Sequence, residues 1–516
     1  MRHKLPASRN VTDREKSKQG VRRPSKASLP HPYFSPYPHR QQSDRIGISP
    51  KLRMEHAYNL SLLDQFACRG YLNLLFCFAE TSYGSNISAV EHFRHGSSRF
   101  ALAFSVVRGR VRPKPERGHV EVTYRENDAD PPFMVQDYRD NSPSYYEIRK
   151  STFSIQGPKF NGFSQGVENC DDAVMAIKIS LIHGGLILCF SAHHSFVDAV
   201  GIGVLAGMYA AHCAGRDISQ PELLRMDRLA MIKGSEMEDA LKYHGRLWIP
   251  VQSGASTSPV PEPAPSHFLM LSMNVEISED AIKQLKSECI EFAKSKGSAS
   301  YISALDAATA LLFACIMRAR EAYLPVDSVC TLNVAVDCRE KLLPPLPKEY
   351  LGNCVTGTMV YIPLTELLAG LNQDSSTTLA NLAFQIRTAI LKVDNKLMRG
   401  YITMIGVEPD IRRAWSNAPS PPRPSPSIMT SSWARVPVNA ADFGGNIGRP
   451  EAVRVHLGQA DQLCVQPQRV KVNENESLEF VGPLVFSALI ERVCLETLKG
   501  DAMFRRWFNI VDEYYV

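Results

Sequence analysis

No run of 18 apolar residues occurs anywhere in the 516-residue chain, so a membrane-crossing helix is not expected. The basic start Met1-Arg2-His3-Lys4 is followed by no apolar core, which argues against a secretory signal. Cysteine occurs twelve times but never in a C-x-x-C spacing, and nothing else has the spacing of metal ligands. Several cysteines, Cys189 and Cys315 among them, lie in apolar runs, as free buried thiols do in a reducing compartment. A cytoplasmic protein without a metal is therefore expected. Internal repeats at solenoid periods are also missing.

The chain is 44% hydrophobic and 22% charged, the balance of a soluble globular protein, and its length suits more than one domain. The net charge of +5 is misleading, because residues 1–53 carry 13 Lys and Arg against 3 Asp and Glu. The remainder is thus at −5, mildly acidic, and nucleic-acid binding is not expected of it. Residues 1–53 are also rich in Pro and Ser and read as a disordered basic tail. Their arginines suit a mitochondrial presequence, but the prolines, Asp13 and Glu15 argue against an amphipathic helix.

From Asn59 the patterning becomes globular. The spacing predicts a first domain over 54–249, a Ser/Pro/Gly/Ala linker over 250–267 and a second domain over 268–516. In the first, Tyr71–Phe78 is an aromatic-apolar stretch, Phe93–Val107 is helix-like, Gly109 leads into a strand pair, and a helix surrounds Ala240–Trp248. In the second, Phe268–Ile277 reads as a strand and Ser278 as the cap of a helix carrying Ile282, Leu285 and Ile290. Asn417–Pro426 reads as an inserted surface loop, Leu478–Val481 as a strand and Leu484–Leu498 as a helix.

The most informative stretch is His193-His194-Ser195-Phe196-Val197-Asp198, with Gly201 after it. Ile177, Ile179 and Leu181 alternate; His183-Gly184-Gly185 turns the chain, and the run Leu186–Phe190 returns it toward the histidines. A helix then carries Ile202, Leu205 and Tyr209 and ends at Gly215. A strand feeding a helix through such a turn holds an imidazole at a cavity wall, where it can take a proton from a hydroxyl. The plain alternative is a surface His-Asp pair of a few tenths of a kcal/mol. Gly201-x-Gly203 imitates a dinucleotide-binding loop, but the histidine turn separates strand from glycines, and no second parallel strand bearing an acid follows. The glycines read instead as sites of close helix packing. A zinc site at His193, His194 and Asp198 fails because adjacent residues point to opposite faces of a strand.

Three stretches of the second half agree with the first: Asn333–Arg339 running on to Tyr350-Leu351-Gly352-Asn353, then Ser431-Ser432-Trp433, then Asp442–Pro450. Together with HHxxxD, they resemble the BAHD superfamily of acyl-CoA-dependent acyltransferases, especially its fungal branch of trichothecene 3-O-acetyltransferase-like enzymes. Leu60–Gln65 is similar to the opening LSPLDQ, Tyr301–Asp306 to YxSxxD, and Asn333–Asn353 to NVAVDxRxxLxPPLPxxYxGN.

The resemblance implies an α/β fold of two chloramphenicol-acetyltransferase-like domains, each with a mixed sheet flanked by helices, and an interdomain channel with His194 at its middle. It implies His194 as general base, with His193 as a non-catalytic neighbour. Asp198 is implied as an orienting residue ion-paired with Arg339, and Ser431 as an oxyanion donor. Ser303, Gly352, Asn353, Asp442 and Gly444 are its candidates for the CoA site. It also implies acyl-CoA as co-substrate, with acetyl-CoA the expected form, a small-molecule acceptor that attacks through a hydroxyl or an amine, with a secondary-metabolite hydroxyl the expected one, and a monomer. The chain departs from the family pattern at Gly445 and Asn446, where DFGWG has Trp and Gly, at Cys338 for a frequent glycine, and in lacking the usual strand-like sequence before Asp64. Two other readings stand beside it. One is a free-standing condensation-type domain fed by a carrier-protein thioester. The other is a catalytically silent small-molecule-binding relative, against which His194, Asp198 and Arg339 weigh.

Overall fold

β-Branched and aromatic runs become strands, and their pairing makes two large sheets. The computed structural model describes residues 55–80, 85–154, 162–164, 169–216, 227–241, 269–295, 301–411, 425–456, 460–475 and 477–515. The basic tail 1–53, the linker 250–267, most of the helix expected around Ala240–Trp248 and most of the tract 417–426 lie outside these residues. All described residues fall in one unit, Arg53–Val516.

The first half supplies β1 (His56–Tyr58), β2 (Tyr71–Ala79), β3 (Arg110–Pro113), β4 (Val120–Tyr124), β5 (Phe133–Asp137), β6 (Met175–Ile182) and β7 (Gly185–His193). The second half supplies β8 (Met270–Ile277), β9 (Val329–Asp337), β10 (Val355–Pro363), β11 (Ser427–Ser432), β12 (Ala452–Val455), β13 (Gln462–Val465), β14 (Arg469–Val472), β15 (Leu478–Val481), β16 (Leu484–Glu491) and β17 (Asn509–Tyr515). One sheet has the order β12-β2-β7-β6-β5 and the other β10-β9-β11-β13-β16-β8-β17. Both are mixed, since β5 runs parallel to β6 and β11 runs parallel to both its neighbours. Helices flank them, as the α/β reading requires.

β6 and β7 form the expected hairpin, with Ile182 opposite Gly185 and Gly184 at φ +77° in the turn, a conformation glycine adopts without steric cost. β7 lies between β2 and β6 and is buried along its whole length, so it reads as a continuous apolar run rather than an alternating one. The helix Ala199–Cys213 and the helix Asn86–Ala103 share a core with this sheet through Phe93, Phe100, Phe190 and Tyr209. The second sheet packs against Ala304–Ala319, a helix buried almost all round.

Three expectations change. Leu484–Leu498 is not one helix: β16 runs to Glu491 and a helix occupies Arg492–Gly500. β16 sits between β13 and β8, buried on both faces, and such a strand has no alternation to tell it from a buried helix. The Phe93–Val107 helix begins earlier, at Asn86, and stops at Ala103, where a 3-10 turn Ser105–Arg108 takes over. A short strand, β1, does precede Asp64 and pairs with β4. β12, from the second half of the chain, pairs with β2 at the edge of the first sheet.

Candidate active site

The histidine turn is built by the end of β7 and the start of the next helix. Asp198 caps that helix, its Oδ1 accepting from Gly201 N at 2.9 Å. Between them the backbone is pinned: His194 N donates to Gly70 O at 2.7 Å, and Phe196 N and Val197 N donate to His193 O. His193 points inward, 3% exposed, with its ring edge-on to Tyr71 and its Nδ1 accepting from Ser195 N at 3.1 Å. Burial, with Arg69 and His194 adding to it, brings its pKa down to about 4, so this ring is neutral near pH 7.

His194 is half-buried. Its Nδ1 lies 3.0 Å from Val197 O. A carbonyl only accepts, so this nitrogen carries a proton, and in the neutral ring Nε2 keeps its lone pair. The turn therefore holds this imidazole in a fixed orientation.

The Asp198 carboxylate is taken up by Arg339 and by backbone amides. Its two oxygens receive Arg339 Nη2 at 2.7 Å and Nη1 at 2.9 Å, and Oδ2 also accepts from Cys354 N at 3.0 Å. Arg339 further donates to Gly352 O at 2.8 Å and to Asp337 Oδ1 at 2.9 Å. Both members of the pair are buried. Burial disfavours the guanidinium charge, but Asp198 and Asp337 together with smaller contributions more than offset this, and the Arg339 pKa is raised. Close packing seals the turn against the segment 350–354: a Cβ on Gly201 would lie 2.0 Å from Leu351 O.

A second buried ion pair underlies the same turn. Asp64, in the first turn of the helix Leu62–Phe66, accepts from Ser61 N and Ser61 Oγ at 2.8 Å and from Arg228 Nη1 at 3.1 Å. Its other oxygen accepts from Asn353 N at 2.7 Å and Asn353 Nδ2 at 2.9 Å. Arg69 reaches the turn too, donating to Ser195 Oγ at 2.6 Å. The roles of Asp64, Arg228 and Arg69 are not read from the sequence. Asp64 lies in the quoted LSLLDQ stretch, while Arg228 follows a segment with no periodicity that sets one arginine apart.

The remaining residues expected at a site divide. Gly352 and Asn353 are buried in the network just described. Ser303 caps the helix Ala304–Ala319 in a capping box with Asp306, which pairs with Arg387. Among the described residues, no hydrogen bond joins Ser303 to the histidine turn. Asp442 Oδ1 accepts from Gly444 N at 2.9 Å, and Gly444, at φ +69°, packs on Ala214. Ala214 ends the helix that Asp198 begins, so at about 1.5 Å per residue this loop lies on the order of 20 Å from the turn. Phe443 there fills the first core, edge-on to Phe76, Phe78, Phe93 and Tyr209. Gly445, where DFGWG has Trp, borders a surface hollow of about 660 Å³ beside His92 and Arg99.

Ser431 lies near the carboxyl end of β11, one residue past the pairing of Thr430 with Val334. Ile428 and Thr430 are buried on one face of β11, and Ser431 is half-buried on the other. That face continues on β9 through Asn333 and Asp337; Asp337 is the residue that Arg339 joins to Asp198. Trp433 anchors the strand end in the first core.

Two mixed sheets, with a histidine presented at a strand-to-helix turn between two buried ion pairs, define an α/β protein with a candidate catalytic turn. The solved structures of F. graminearum TRI101 complexed with coenzyme A and deoxynivalenol and of vinorine synthase share the fold. The TM-scores are 0.71 and 0.55, at 19% and 16% identity; the alignments cover 89% and 85% of this chain and 100% and 91% of those chains. In sequence, the chain is 27% identical over 335 residues to O-acyltransferase pigD of Monascus ruber, covering 62% of this chain and 70% of that protein. It is 26% identical over 333 residues to fumigaclavine B O-acetyltransferase easN of Aspergillus fumigatus, covering 57% and 64%. A sequence model of the Transferase family matches residues 42–484. The chain belongs to that family, the BAHD superfamily.

Proposed function

We propose that this protein is an acyl-CoA-dependent O-acyltransferase that moves an acetyl group from acetyl-CoA to a hydroxyl of a secondary metabolite. The observation that carries the reading is the bond from His194 Nδ1 to Val197 O, which leaves Nε2 as the acceptor on a half-buried ring. The names of the relatives, O-acyltransferase and O-acetyltransferase, and the coenzyme A in the TRI101 complex support the donor and acceptor classes.

In this mechanism His194 Nε2 accepts the acceptor's hydroxyl proton as the oxygen attacks the thioester carbonyl. The new C–O bond forms and the carbonyl π pair moves onto oxygen. That oxyanion collapses, the C–S bond breaks, and the CoA thiolate takes the proton back from the imidazolium. Ser431 Oγ donates to the oxyanion, a contact that is stronger in the transition state than to the ground-state carbonyl. Asp198 and Arg339 hold the turn and move no proton. In this reading the channel wall is the face of β9 and β11 that carries Asn333 and Ser431, both half-buried. Of the residues offered for CoA, Ser303, Asp442 and Gly444 keep partial exposure, whereas Gly352 and Asn353 are buried.

The working protein is a cytoplasmic monomer in this reading. All twelve cysteines are free and ten are buried, which suits a reducing compartment. No helix among the described residues is long and apolar enough to cross a membrane.

The test is acetyl transfer read by mass spectrometry, with acetyl-CoA or an acetyl-loaded carrier protein as donor and a panel of fungal metabolite alcohols as acceptors. Acetylated product is expected from acetyl-CoA. Loss of the base in His194→Ala should reduce turnover by roughly 10²–10⁴-fold with the fold intact. Near-wild-type turnover in that variant, or transfer from the carrier protein alone, overturns the reading.

A further inference from the structure

We propose that Asp64, Arg228 and Asn353 are positioning residues for His194, acting through two carbonyls of the histidine turn. The inference rests on the reading of His194 as the base. Asn353 Nδ2 donates to His194 O at 2.8 Å and to Asp64 Oδ1 at 2.9 Å. Arg228 Nη1 donates to Phe196 O at 2.8 Å and to Asp64 Oδ2 at 3.1 Å. One carboxylate thus holds both donors that hold the turn.

The route from this pair to the imidazole is short. Peptide planes are rigid, so fixing Phe196 O fixes the plane of the Phe196–Val197 peptide. The next carbonyl, Val197 O, is the one that accepts from His194 Nδ1 and sets the tautomer. Arg228 is itself held in place, with its guanidinium 4.7 Å from the Phe196 ring and 5.0 Å from that of Tyr58, and its Nε bonded to Tyr58 OH. Cations over aromatic faces are attracted by the ring quadrupole.

The two ion pairs share a backbone strap. Asn353 N donates to Asp64 and the next amide, Cys354 N, donates to Asp198. The turn is therefore gripped at its helical end by Asp198–Arg339 and at its strand end by Asp64–Arg228. A buried ion pair serving stability alone is commonly replaceable by apolar side chains of like volume. Apolar replacements here would still lose the hold on the two carbonyls.

The test uses the full-length protein in two variants, Arg228→Met and Asn353→Ala. In Arg228→Met, Asp64 keeps four donors, Ser61 N, Ser61 Oγ, Asn353 N and Asn353 Nδ2, so its charge stays solvated by the protein. Asn353→Ala keeps the ion pair and removes only the side-chain donor. Nitrogen-15 spectra of histidine-labelled, unliganded protein report the His194 tautomer, with the signal assigned by its absence in His194→Ala. Wild type should show the single Nδ1–H form and both variants a mixture. With acetyl-CoA and the alcohol found in the screen, kcat should fall on the order of 10²-fold, as misplacement of a reacting group does, with KM for acetyl-CoA little changed. A folded variant that keeps the single tautomer and wild-type kcat overturns the proposal. If Arg228→Met does not fold, Asn353→Ala alone decides. The tautomer readout is independent of what His194 does chemically, so failure of the base reading and failure of this proposal remain distinguishable.

Discussion

Two adjacent imidazoles have opposite environments because β7 ends between them. His193 is the last strand residue and enters the wall beside Tyr71; His194 begins the turn and stays half-buried. The family resemblance made His194, Asp198 and Arg339 legible, since the resembled motifs bring the three together from two distant stretches. Arg228 was not legible, because its role depends on a fold that returns residue 228 beneath residue 196. Ser431 belongs to the same scale. A donor that binds the oxyanion more strongly than the ground-state carbonyl contributes to kcat rather than to affinity. Ser431→Ala should therefore lower kcat, by up to about 10²–10³-fold, while acetyl-CoA binding measured by calorimetry stays near wild type. An unchanged kcat returns Ser431 to the role of a strand hydroxyl.

Among the elements, the helix Ala199–Cys213 does most to place the site, since its cap carries Asp198 and its first turn meets the strap 350–354. The hairpin before it and the stop at Gly215 were legible from turn chemistry, Gly184 and Gly215 both having φ of +77°. β12 was not, because a four-residue strand carries too little pattern to announce that it pairs with β2, far away in sequence. Gly201→Ala puts a methyl where only Leu351 O fits. The helix or the strap must move, and we expect a fall in Tm together with a fall in kcat. Equal Tm for variant and wild type would show that the strap yields freely. Asp198→Ala leaves Arg339 with only the exposed Asp337 as counter-charge, and Arg339→Ala leaves Asp198 buried without a cation, each an effect of roughly 3–5 kcal/mol. Denaturant unfolding of the two variants should show losses of similar size, and wild-type stability in both would break the pair's assigned role.

For the whole molecule, acid sensitivity follows from histidines folded as neutral groups. Burial is the leading cause that lowers the pKa of His193 from 6.5 to about 4, and it lowers those of His119 and His456 as well. Above pH 6.5 the His193 ring is neutral in folded and unfolded chains alike, and its contribution to stability is fully present. As pH falls from 6.5 toward 4, the unfolded chain binds a proton that the folded protein does not, so stability declines with falling pH across that window. Below 4 both states are protonated and the loss stops growing. At about 1.4 kcal/mol per pKa unit, the His193 share is on the order of 3 kcal/mol. Carboxylates titrate in the same range, so the comparison that isolates the histidine is wild type against His193→Gln in urea unfolding at pH 7.5 and pH 4.5. The variant should lose less stability between the two conditions, by an amount near that share. Identical losses would mean that His193 is protonated in the folded protein, and that the turn accommodates a charge beside Arg69 and His194.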